Sequence, residues 1–313
     1  MVPRTHKTTK KTAQLAAFLG MFFRRVLLFF LFAALLIGIG YFAIVPRVFQ
    51  VTESTNIVIV SKDLQKAETV VLVHFSPQLR RSAIALFDGS ERVEVLGGYG
   101  QYSIQSLYTL LQLDGKDAQF VRAAFSHALG VVVDEVVAVE GLTKSDAEQK
   151  ELHTLLQPLM WSTTSGLSWQ ERVTLFMTAK GFRANEIHLD KKNNLLDSLK
   201  GYALITESDA QECQIAVVNT TTTPKLASGV SQLLEMAGAM VVRVGNDTNK
   251  LEKSVFFVKS ESPACSRVIT KAQHVFPYLP EVVVDAAKTQ QYRANLVLMV
   301  GTDLGQAVET PTD

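Results

Sequence analysis

The sequence predicts an α/β protein in which one N-terminal transmembrane helix precedes two extracytoplasmic α/β units. A run of twenty residues without a charge, Val26–Val45, lies near the N-terminus. After it, short apolar segments bounded by polar turns alternate with segments that carry helix start and stop signals. The polar stretch Ser208–Glu212 then reads as a linker, and a second series of strands and helices follows it.

The apolar run has the length and composition of a membrane-spanning helix. At about 1.5 Å per residue it would extend roughly 30 Å, the thickness of the hydrocarbon core of a bilayer. Fourteen of the twenty residues are Leu, Ile, Phe or Val. The alternative is a cleaved signal peptide, whose apolar region is usually about 7–15 residues long and ends in small residues. Large residues occupy that place here, including Phe42, Ile44 and Val45.

Charge predicts the orientation of this helix. Six basic residues and no acidic residue precede it: Arg4, Lys7, Lys10, Lys11, Arg24 and Arg25. Short segments rich in Lys and Arg stay on the cytoplasmic side. We therefore expect a single-pass protein of the cell membrane, with the N-terminus in the cytoplasm, the bulk of the chain outside it, and the lipid bilayer as one partner.

The exported part is mildly acidic. Without the six basic residues of the tail, 25 of the 31 Lys and Arg residues remain against 30 Asp and Glu residues, a net charge of −5. Nucleic-acid-binding domains are usually basic, so we expect no nucleic-acid partner. An anionic polymer would require a local binding site.

In the first unit, apolar runs predict the strands and helix signals predict the helices. The predicted strands are Ile57–Val60, Thr69–Phe75, Ser82–Asp88, Arg92–Val95, Val132–Val139 and Tyr202–Thr206, and the predicted helices are Ser103–Leu113 and Ala118–Leu129. Two further helices are expected where Ser145 with Glu148, and Ser168 with Glu171, form capping boxes.

The second unit has the order strand, helix, strand, strand, helix, strand. Ile215–Val218 is the first strand, and Thr223 with Pro224 is expected to start a helix that ends at Gly238. Strands at Met240–Val244 and Ser254–Val258 follow, then a helix opened by Ser262-Pro263 and closed by Pro277, and the apolar runs Val282–Asp285 and Asn295–Val300.

The second unit resembles the LytR C-terminal domain of bacterial LytR-CpsA-Psr envelope proteins. The residues that carry this resemblance are Ile215–Asn219 (IAVVN), Lys225–Gly238 (KLASGVSQLLEMAG) and Val241–Asn246 (VVRVGN). The family usually has Gly after the Asn of the first strand, whereas Thr220–Thr223 follow here.

The first unit resembles a reduced LytR-CpsA-Psr catalytic domain. The matching stretches are Glu68–Pro77, Ile84–Gly89, Tyr99–Leu110 and Leu129–Glu140, in the family's order. The resemblance implies a partner such as a polyprenyl-linked glycopolymer, which active members transfer to the cell wall, and Mg²⁺ only if the domain is active; otherwise we expect no cofactor.

The family's chemical groups are mostly replaced. Arginines bind the pyrophosphate in active members, because a diphosphate requires planar, permanently charged donors. The family's Arg-Ser-Asp-Thr motif reads Lys66–Thr69 (KAET) here, and its Pro-Arg-Asp motif reads Leu86–Asp88 (LFD). The family's late segment rich in Arg and Gln has no counterpart between Gly141 and Ser208.

Four residues remain as site candidates. Glu68 and Asp88 are the candidate catalytic carboxylates, and Arg80 and Arg81 are the candidate phosphate-binding residues. The alternative is that the carboxylates are solvated turn residues and the arginines belong to an exposed basic loop.

Other residues give weaker signals. No metal site is expected, because the six histidines are scattered. Trp161 and Trp169 are expected to pack in the core, with sugar stacking as the alternative. Cys213 and Cys265 are a candidate disulfide if the third strand of a βαββαβ sheet lies antiparallel beside the first, with free buried thiols as the alternative.

The sequence thus predicts a membrane-anchored bacterial cell-envelope protein that binds or scaffolds at the cell wall without catalysis. One alternative is an active transferase that attaches lipid-linked polymer to peptidoglycan. Another is a septal or envelope assembly protein that acts through contacts with other envelope proteins. The expected segments are a cytoplasmic tail at 1–25, the membrane helix at 26–46, the reduced catalytic-like domain at 52–208, the LytR C-terminal-like domain at 212–304 and a disordered tail at 305–313.

Overall fold

The computed structural model describes residues 24–36, 38, 54–61, 69–76, 81–139, 156–157, 160–161, 169, 172–173, 176, 184–187 and 204–304. The chain divides into two compact parts, Met1–Val48 and Phe49–Asp313. The tail at 305–313 and the predicted caps Ser145, Glu148, Ser168 and Glu171 lie outside the described residues.

In the N-terminal part, residues 24–36 are helical. Its large apolar side chains each expose more than half of their surface: Leu27, Leu28, Phe29, Phe30, Leu31, Phe32, Leu35 and Leu36. None of the helices among the described residues combines the length and the hydropathy needed to cross a bilayer. Of the predicted span 26–46, residues 37 and 39–46 lie outside the described residues.

The first α/β unit contains a mixed sheet and two helices. Its strands are β1 (Thr55–Ser61), β2 (Thr69–Ser76), β3 (Arg81–Asp88), β6 (Glu135–Val139) and β7 (Ala184–Ile187), in the order β6-β1-β2-β3-β7. β2 is antiparallel to β1 and β3, whereas β6 and β7 run parallel to their neighbours β1 and β3. β1 and β2 are buried along their whole length, which explains the apolar runs in their centres.

A hairpin and the two helices cover this sheet. The hairpin strands are β4 (Arg92–Val95) and β5 (Gly100–Ser103), and the helices are α1 (Ile104–Leu113) and α2 (Ala118–Leu129). Asp117 starts α2 by accepting a hydrogen bond from the Phe120 amide, and Gly130 ends it in the left-handed conformation.

The second α/β unit has a five-stranded sheet in the order β11-β10-β12-β8-β9. Its elements are α3 (Glu207–Glu212), β8 (Ile215–Asn219), α4 (Leu226–Met236), β9 (Val241–Asn246), β10 (Val255–Val258), α5 (Pro263–Gln273), β11 (Glu281–Val284), α6 (Ala286–Tyr292) and β12 (Leu296–Val300). β8 and β12 are fully buried at the centre, whereas β9 and β11 form the exposed edges.

The α/β class is confirmed, and several details of the prediction are wrong. The second unit is βαββαβαβ rather than βαββαβ, because Asp285 caps the additional short helix α6. The expected linker Ser208–Glu212 lies within α3, which Thr206 caps through the Asp209 amide. Leu204–Thr206 do not form the expected closing strand.

One continuous apolar core runs through both units. It includes Leu72, Leu107 and Phe125 in the first unit and Phe256 and Phe276 in the second. The two units therefore pack against each other through a shared apolar core rather than being joined only by an exposed linker.

Candidate functional site

Asp88, the candidate carboxylate at the end of β3, supports a local turn. Its side chain is exposed and accepts hydrogen bonds from the backbone amide of Ser90 at 2.9 Å and from the Ser90 hydroxyl at 2.7 Å. Asp88 pairs with Thr69 in the sheet, so it lies opposite the start of β2. This arrangement gives Asp88 a structural role at the end of the strand.

The candidate arginines belong to the other end of the same strand. Arg81 begins β3, where its backbone pairs with Ser76, and its side chain lies outside the described residues. An eight-residue strand separates Arg81 from Asp88 by roughly 23 Å. One pyrophosphate cannot span that distance. Glu68 and Arg80 lie outside the described residues.

Phe87 is part of the apolar core. The resemblance aligns it with a phosphate-binding arginine, but its side chain is only 5% exposed and packs with the buried apolar residues of the first unit. A guanidinium at this position would face apolar side chains. The position therefore serves packing in this chain.

A buried ion pair connects the two units. The Asp134 carboxylate, just before β6, lies 2.8 Å from Lys271 Nζ and 3.1 Å from His274 Nδ1, and both of these partners belong to the end of α5. The backbone amide of Asn56 donates to the other carboxylate oxygen at 2.7 Å, and Lys271 also donates to the Ser54 carbonyl at 3.1 Å. Each charge is thus compensated by a partner on another element.

The ion pair continues into a buried hydrogen-bond chain. The Asn56 side-chain amide donates to the Val132 carbonyl at 2.7 Å, so its oxygen faces His74 Nδ1, also at 2.7 Å. Because that oxygen can only accept, His74 carries its proton on Nδ1. The chain fixes the orientation of β1 and β2 beside Asp134.

Burial and charge shift the pKa values of these groups. Burial disfavours the Asp134 carboxylate, but the Lys271 ammonium and the His274 ring outweigh this effect and hold the pKa of Asp134 well below its usual range. Burial lowers the pKa of His74 to about 4. Burial likewise lowers the pKa of His127 to about 4, although its bond to the Val275 carbonyl opposes the shift. At neutral pH the cluster therefore holds an ionised Asp134 beside a neutral His74.

Helix α2 makes a second polar contact between the units, at the C-terminal end of α5. Gln119 Nε2 donates to the carbonyls of Gln273 and Phe276, both at 2.8 Å, and His127 Nε2 lies 3.0 Å from the Val275 carbonyl. Helix ends leave carbonyls without intrahelical partners, so these side chains satisfy them. Sequence reasoning missed this contact because Gln and His on an amphipathic helix do not reveal their partners.

A solvent-open cleft of about 990 Å³ lies between the two units. It is lined by Gly97, Lys116 and Phe120 of the first unit and by Glu252, Lys253, Ser254, Val255, Pro277, Tyr278, Leu279, Pro280, Glu281, Thr302 and Asp303 of the second. We call it the inter-unit cleft. Its lining mixes apolar side chains with charges of both signs, and none of its residues is a site candidate from the sequence.

Trp161 and Trp169 lie against each other at the surface. Their ring centroids are 6.2 Å apart, and the side chains are 75% and 48% exposed. The expectation that they pack in the core is therefore wrong, because both side chains are largely exposed.

Cys213 and Cys265 are joined in the structure, with their Cα atoms 5.0 Å apart. Cys213 ends α3 and Cys265 lies in the first turn of α5. The assumed topology is wrong in one respect, because β12 lies between β10 and β8. Val258 and Ile215 nevertheless both pair with Leu296, so the two strand ends lie at the same edge of the sheet.

No metal site is seen in the parts of the chain that the structure describes, where no group of at least three His, Cys, Asp or Glu side chains could hold an ion.

The chain is similar to several solved structures but to no curated protein. Similar solved structures include a LytR-CPS2A-psr family protein, YwtF (TagT), with bound octaprenyl pyrophosphate lipid, which is 14% identical over 45% of this chain and 80% of that chain, with a TM-score of 0.35. TagT of B. subtilis is 13% identical over 46% of this chain and 82% of that chain, with a TM-score of 0.34. The Lin1025 protein of Listeria innocua is 9% identical over 44% and 83%, with a TM-score of 0.33.

The second unit gives a family match in sequence. Residues 212–304 match the family described as LytR cell envelope-related transcriptional attenuator. The match includes the strand, helix and strand from which the sequence predicts this domain, and that recognition is confirmed. Residues 212–304 of this chain are therefore similar in sequence to the LytR C-terminal domain.

Proposed function

We propose that the protein is a membrane-anchored bacterial cell-envelope protein that binds or scaffolds at the cell wall without catalysis. The observation that carries the non-catalytic part is Phe87, which fills the apolar core at the position that resembles a phosphate-binding arginine. Asp88 beside it is engaged by the turn at Ser90. Glycopolymer transfer needs cations on the diphosphate, and this part of the fold supplies packing instead.

The anchor rests on the uncharged run Val26–Val45 and the six basic residues before it. The exposed apolar side chains of the helical residues 24–36 support it, because an apolar surface of that size is stable against lipid rather than water. The proposed orientation keeps the basic tail in the cytoplasm.

The scaffolding role rests on the way the two units are held together. The Asp134–Lys271 pair is buried, and the contacts of Gln119 with the end of α5 lie beside it. A protein that presents a binding surface benefits from such a fixed arrangement, because it loses little conformational entropy when it binds its partner.

A turnover assay distinguishes this proposal from an active transferase. The full-length chain in detergent micelles is incubated with a polyprenyl pyrophosphate and Mg²⁺, and phosphate release is measured. We expect no turnover above the protein-free background. Turnover that disappears in Glu68→Ala or Asp88→Ala would establish the transferase instead.

A sedimentation assay tests binding to the wall. Purified cell-wall sacculi are mixed with the full-length chain in detergent and pelleted. We expect the protein in the pellet, and protein that stays in the supernatant would contradict the proposed binding. An unrelated single-pass protein in the same detergent is the control for adsorption of micelles.

A further inference from the structure

The inter-unit cleft has two walls whose shapes are fixed by internal contacts. On the first-unit side, a Cβ at Gly97 would lie 3.0 Å from both the Phe120 and Tyr99 rings, so these rings pack directly on the glycine turn. Lys116 Nζ lies 5.0 Å from the centroid of Phe120, 5.8 Å from that of Tyr99 and 3.1 Å from Asp114. This wall therefore presents a cation held over aromatic rings.

The second-unit wall is also rigid. Asp303 accepts hydrogen bonds from the backbone amide of Ser254 at 2.9 Å and from its hydroxyl at 2.7 Å. The Ser254 hydroxyl in turn accepts from the Gly301 amide at 2.9 Å. These bonds fix the segment at the floor of the cleft and occupy the Asp303 carboxylate.

Two large side chains at the mouth of the cleft remain exposed. Tyr278 and Leu279 are 61% and 67% exposed, although the prolines on either side of them are buried. Pro277 and Pro280 restrict the backbone on either side of Tyr278 and Leu279, which reduces the conformational freedom of this segment. An exposed tyrosine offers a large contact area to a ligand and loses little conformational entropy on binding.

The charges of the cleft indicate the class of ligand. Its lining contains two cations, Lys116 and Lys253, and three acids, of which Asp303 is committed to Ser254. Two lysines against three carboxylates give the lining a formal net charge of −1, because hydrogen bonds do not neutralise Asp303. A site for a polyanion would be strongly positive and would use arginine, whereas this lining suits a neutral ligand with many hydroxyl groups.

We propose that the inter-unit cleft binds a neutral glycan chain, with the Tyr278 ring packing against a sugar and the flanking lysines and glutamates bonding to its hydroxyls. This inference rests on the proposed wall-binding function and names its ligand class. A sugar ring has an apolar C–H face and polar edges, which match an aromatic ring bordered by charged groups. The volume of about 990 Å³ is large for a small-molecule site and accommodates several sugar units.

Calorimetric titration of the full-length chain in detergent tests the inference. The probe is the β-1,4-linked tetrasaccharide of N-acetylglucosamine, with poly(glycerol phosphate) as the anionic comparison. We expect the tetrasaccharide to bind and Tyr278→Ala to weaken binding by at least about tenfold. Tyr102→Ala is the matched control, because Tyr102 is also exposed, at 38%, and does not line the cleft.

Salt dependence gives an independent readout. Raising the salt concentration from about 0.05 M to about 0.5 M should leave the affinity for a neutral glycan within about twofold, because no net charge is neutralised. Equal urea midpoints for Tyr278→Ala and Tyr102→Ala would show that both variants fold.

Several results would overturn the inference: no binding of the tetrasaccharide, an equal effect of the two tyrosine variants, or tighter, salt-sensitive binding of poly(glycerol phosphate). The sedimentation assay with sacculi separates this failure from failure of the proposed function. Retention on sacculi without tetrasaccharide binding overturns the glycan site alone. Loss of both overturns the wall-binding function itself.

Discussion

Asp134 is a buried carboxylate with hydrogen-bond partners on both of its oxygens. Moving such a charge from water into a protein costs several kcal/mol unless partners compensate for the lost hydration. Here the compensation comes from Lys271 and His274 of the second unit and from the Asn56 amide of the first. The carboxylate therefore makes the stability of one unit dependent on the other.

Lys271→Ala should lower the free energy of unfolding by about 3–5 kcal/mol, because it leaves Asp134 buried beside a weaker partner. Lys259→Ala, which removes an exposed lysine, should change it by less than about 0.5 kcal/mol. Urea denaturation followed by circular dichroism measures both. A loss below about 1 kcal/mol in Lys271→Ala would show that the pair contributes little.

Acidification should destabilise the protein before its carboxylates are protonated. Burial lowers the pKa of His74 and of His127 to about 4, whereas histidine in an unfolded chain titrates near 6.5. As the pH falls, the unfolded chain binds these protons first. The free energy of unfolding therefore has its full value above about pH 6.5 and decreases towards pH 4. The decrease is about 3 kcal/mol for each histidine whose pKa is lowered from about 6.5 to about 4.

Urea midpoints between pH 7.5 and pH 4.5 check this expectation. The His74→Gln variant should show a shallower decline than the unmodified chain, whatever its stability at neutral pH, because it lacks one of the two described histidines whose pKa is lowered. Parallel curves for the two proteins would contradict a role for His74.

The sequence indicated at which positions the phosphate-binding residues of the LytR-CpsA-Psr family are replaced. It did not indicate which residues form the buried contact between the two units. The identity of Phe87 alone excludes phosphate binding by its side chain, because a phenyl ring has neither a charge nor a hydrogen-bond donor. Asp134 follows three valines in an apolar stretch, and a buried charge in such a setting requires a partner. That partner, Lys271, lies 137 residues further along the chain, and no local pattern connects the two.

Elements with strong local signals were predicted to within a residue or two. β2, β3 and α2 have long apolar or amphipathic runs, and Ser262-Pro263 starts α5 as expected. The start of α4 was placed too early. Asn219 holds the Thr221–Thr223 turn by accepting from the Thr221 amide and donating to the Thr223 carbonyl, so the helix begins only at Leu226.

The order of strands in the second sheet could not be derived from local patterns. β12 is the last strand of the chain, yet it inserts between β10 and β8. Its five residues are all buried, and a central position covers both of its faces. The apolar run Asn295–Val300 predicted a strand, but strand pairing depends on contacts between distant segments.

Gly301, just after β12, should not tolerate a side chain. An added Cβ would lie 2.5 Å from the Lys253 carbonyl carbon, a backbone atom that cannot move away cheaply. Gly301→Ala is expected to lower the free energy of unfolding by about 1–3 kcal/mol. Gly229→Ala is the matched control, because nothing lies within 4 Å of its added Cβ in α4, and it should stabilise the protein by about 0.5–1 kcal/mol. Urea denaturation of the two variants compares them, and losses of equal size would contradict the steric explanation.

The link between Cys213 and Cys265 joins α3 to α5 across 52 residues. Replacing both cysteines with alanine should lower the free energy of unfolding by about 2–4 kcal/mol, since the unfolded chain is no longer constrained. A thiol titration of the unfolded chain before and after reduction reports the bond directly. An unchanged thiol count would reject it.

The whole molecule differs from the prediction of two units joined by a polar linker. Ser208–Glu212 belongs to a helix whose Asp209 pairs with Arg267 of α5. A polar sequence alone does not distinguish a linker from a short exposed helix. The apolar core that both units share is formed by residues distant in sequence, so it is seen only in the folded structure. The membrane helix remains a prediction from the charge-free run Val26–Val45.

The anchor can be tested on the intact chain. We expect the full-length protein to remain in membranes washed with alkaline carbonate, and a variant that lacks residues 1–46 to appear in the soluble fraction. Protease added outside spheroplasts should remove the exported part and leave a short N-terminal tag intact. Release of the full-length chain by carbonate would contradict the anchor.

The Asp134–Lys271 pair also has a consequence for the order in which the chain acquires its structure. Synthesis proceeds from the N-terminus, so the carboxylate emerges 137 residues before its ammonium partner. Until then Asp134 keeps its hydration, and β6 cannot bury that end of the first sheet without an uncompensated charge. We therefore expect the first sheet to be completed only after α5 has been synthesised, and a chain truncated before Lys271 to leave this end of the sheet unburied.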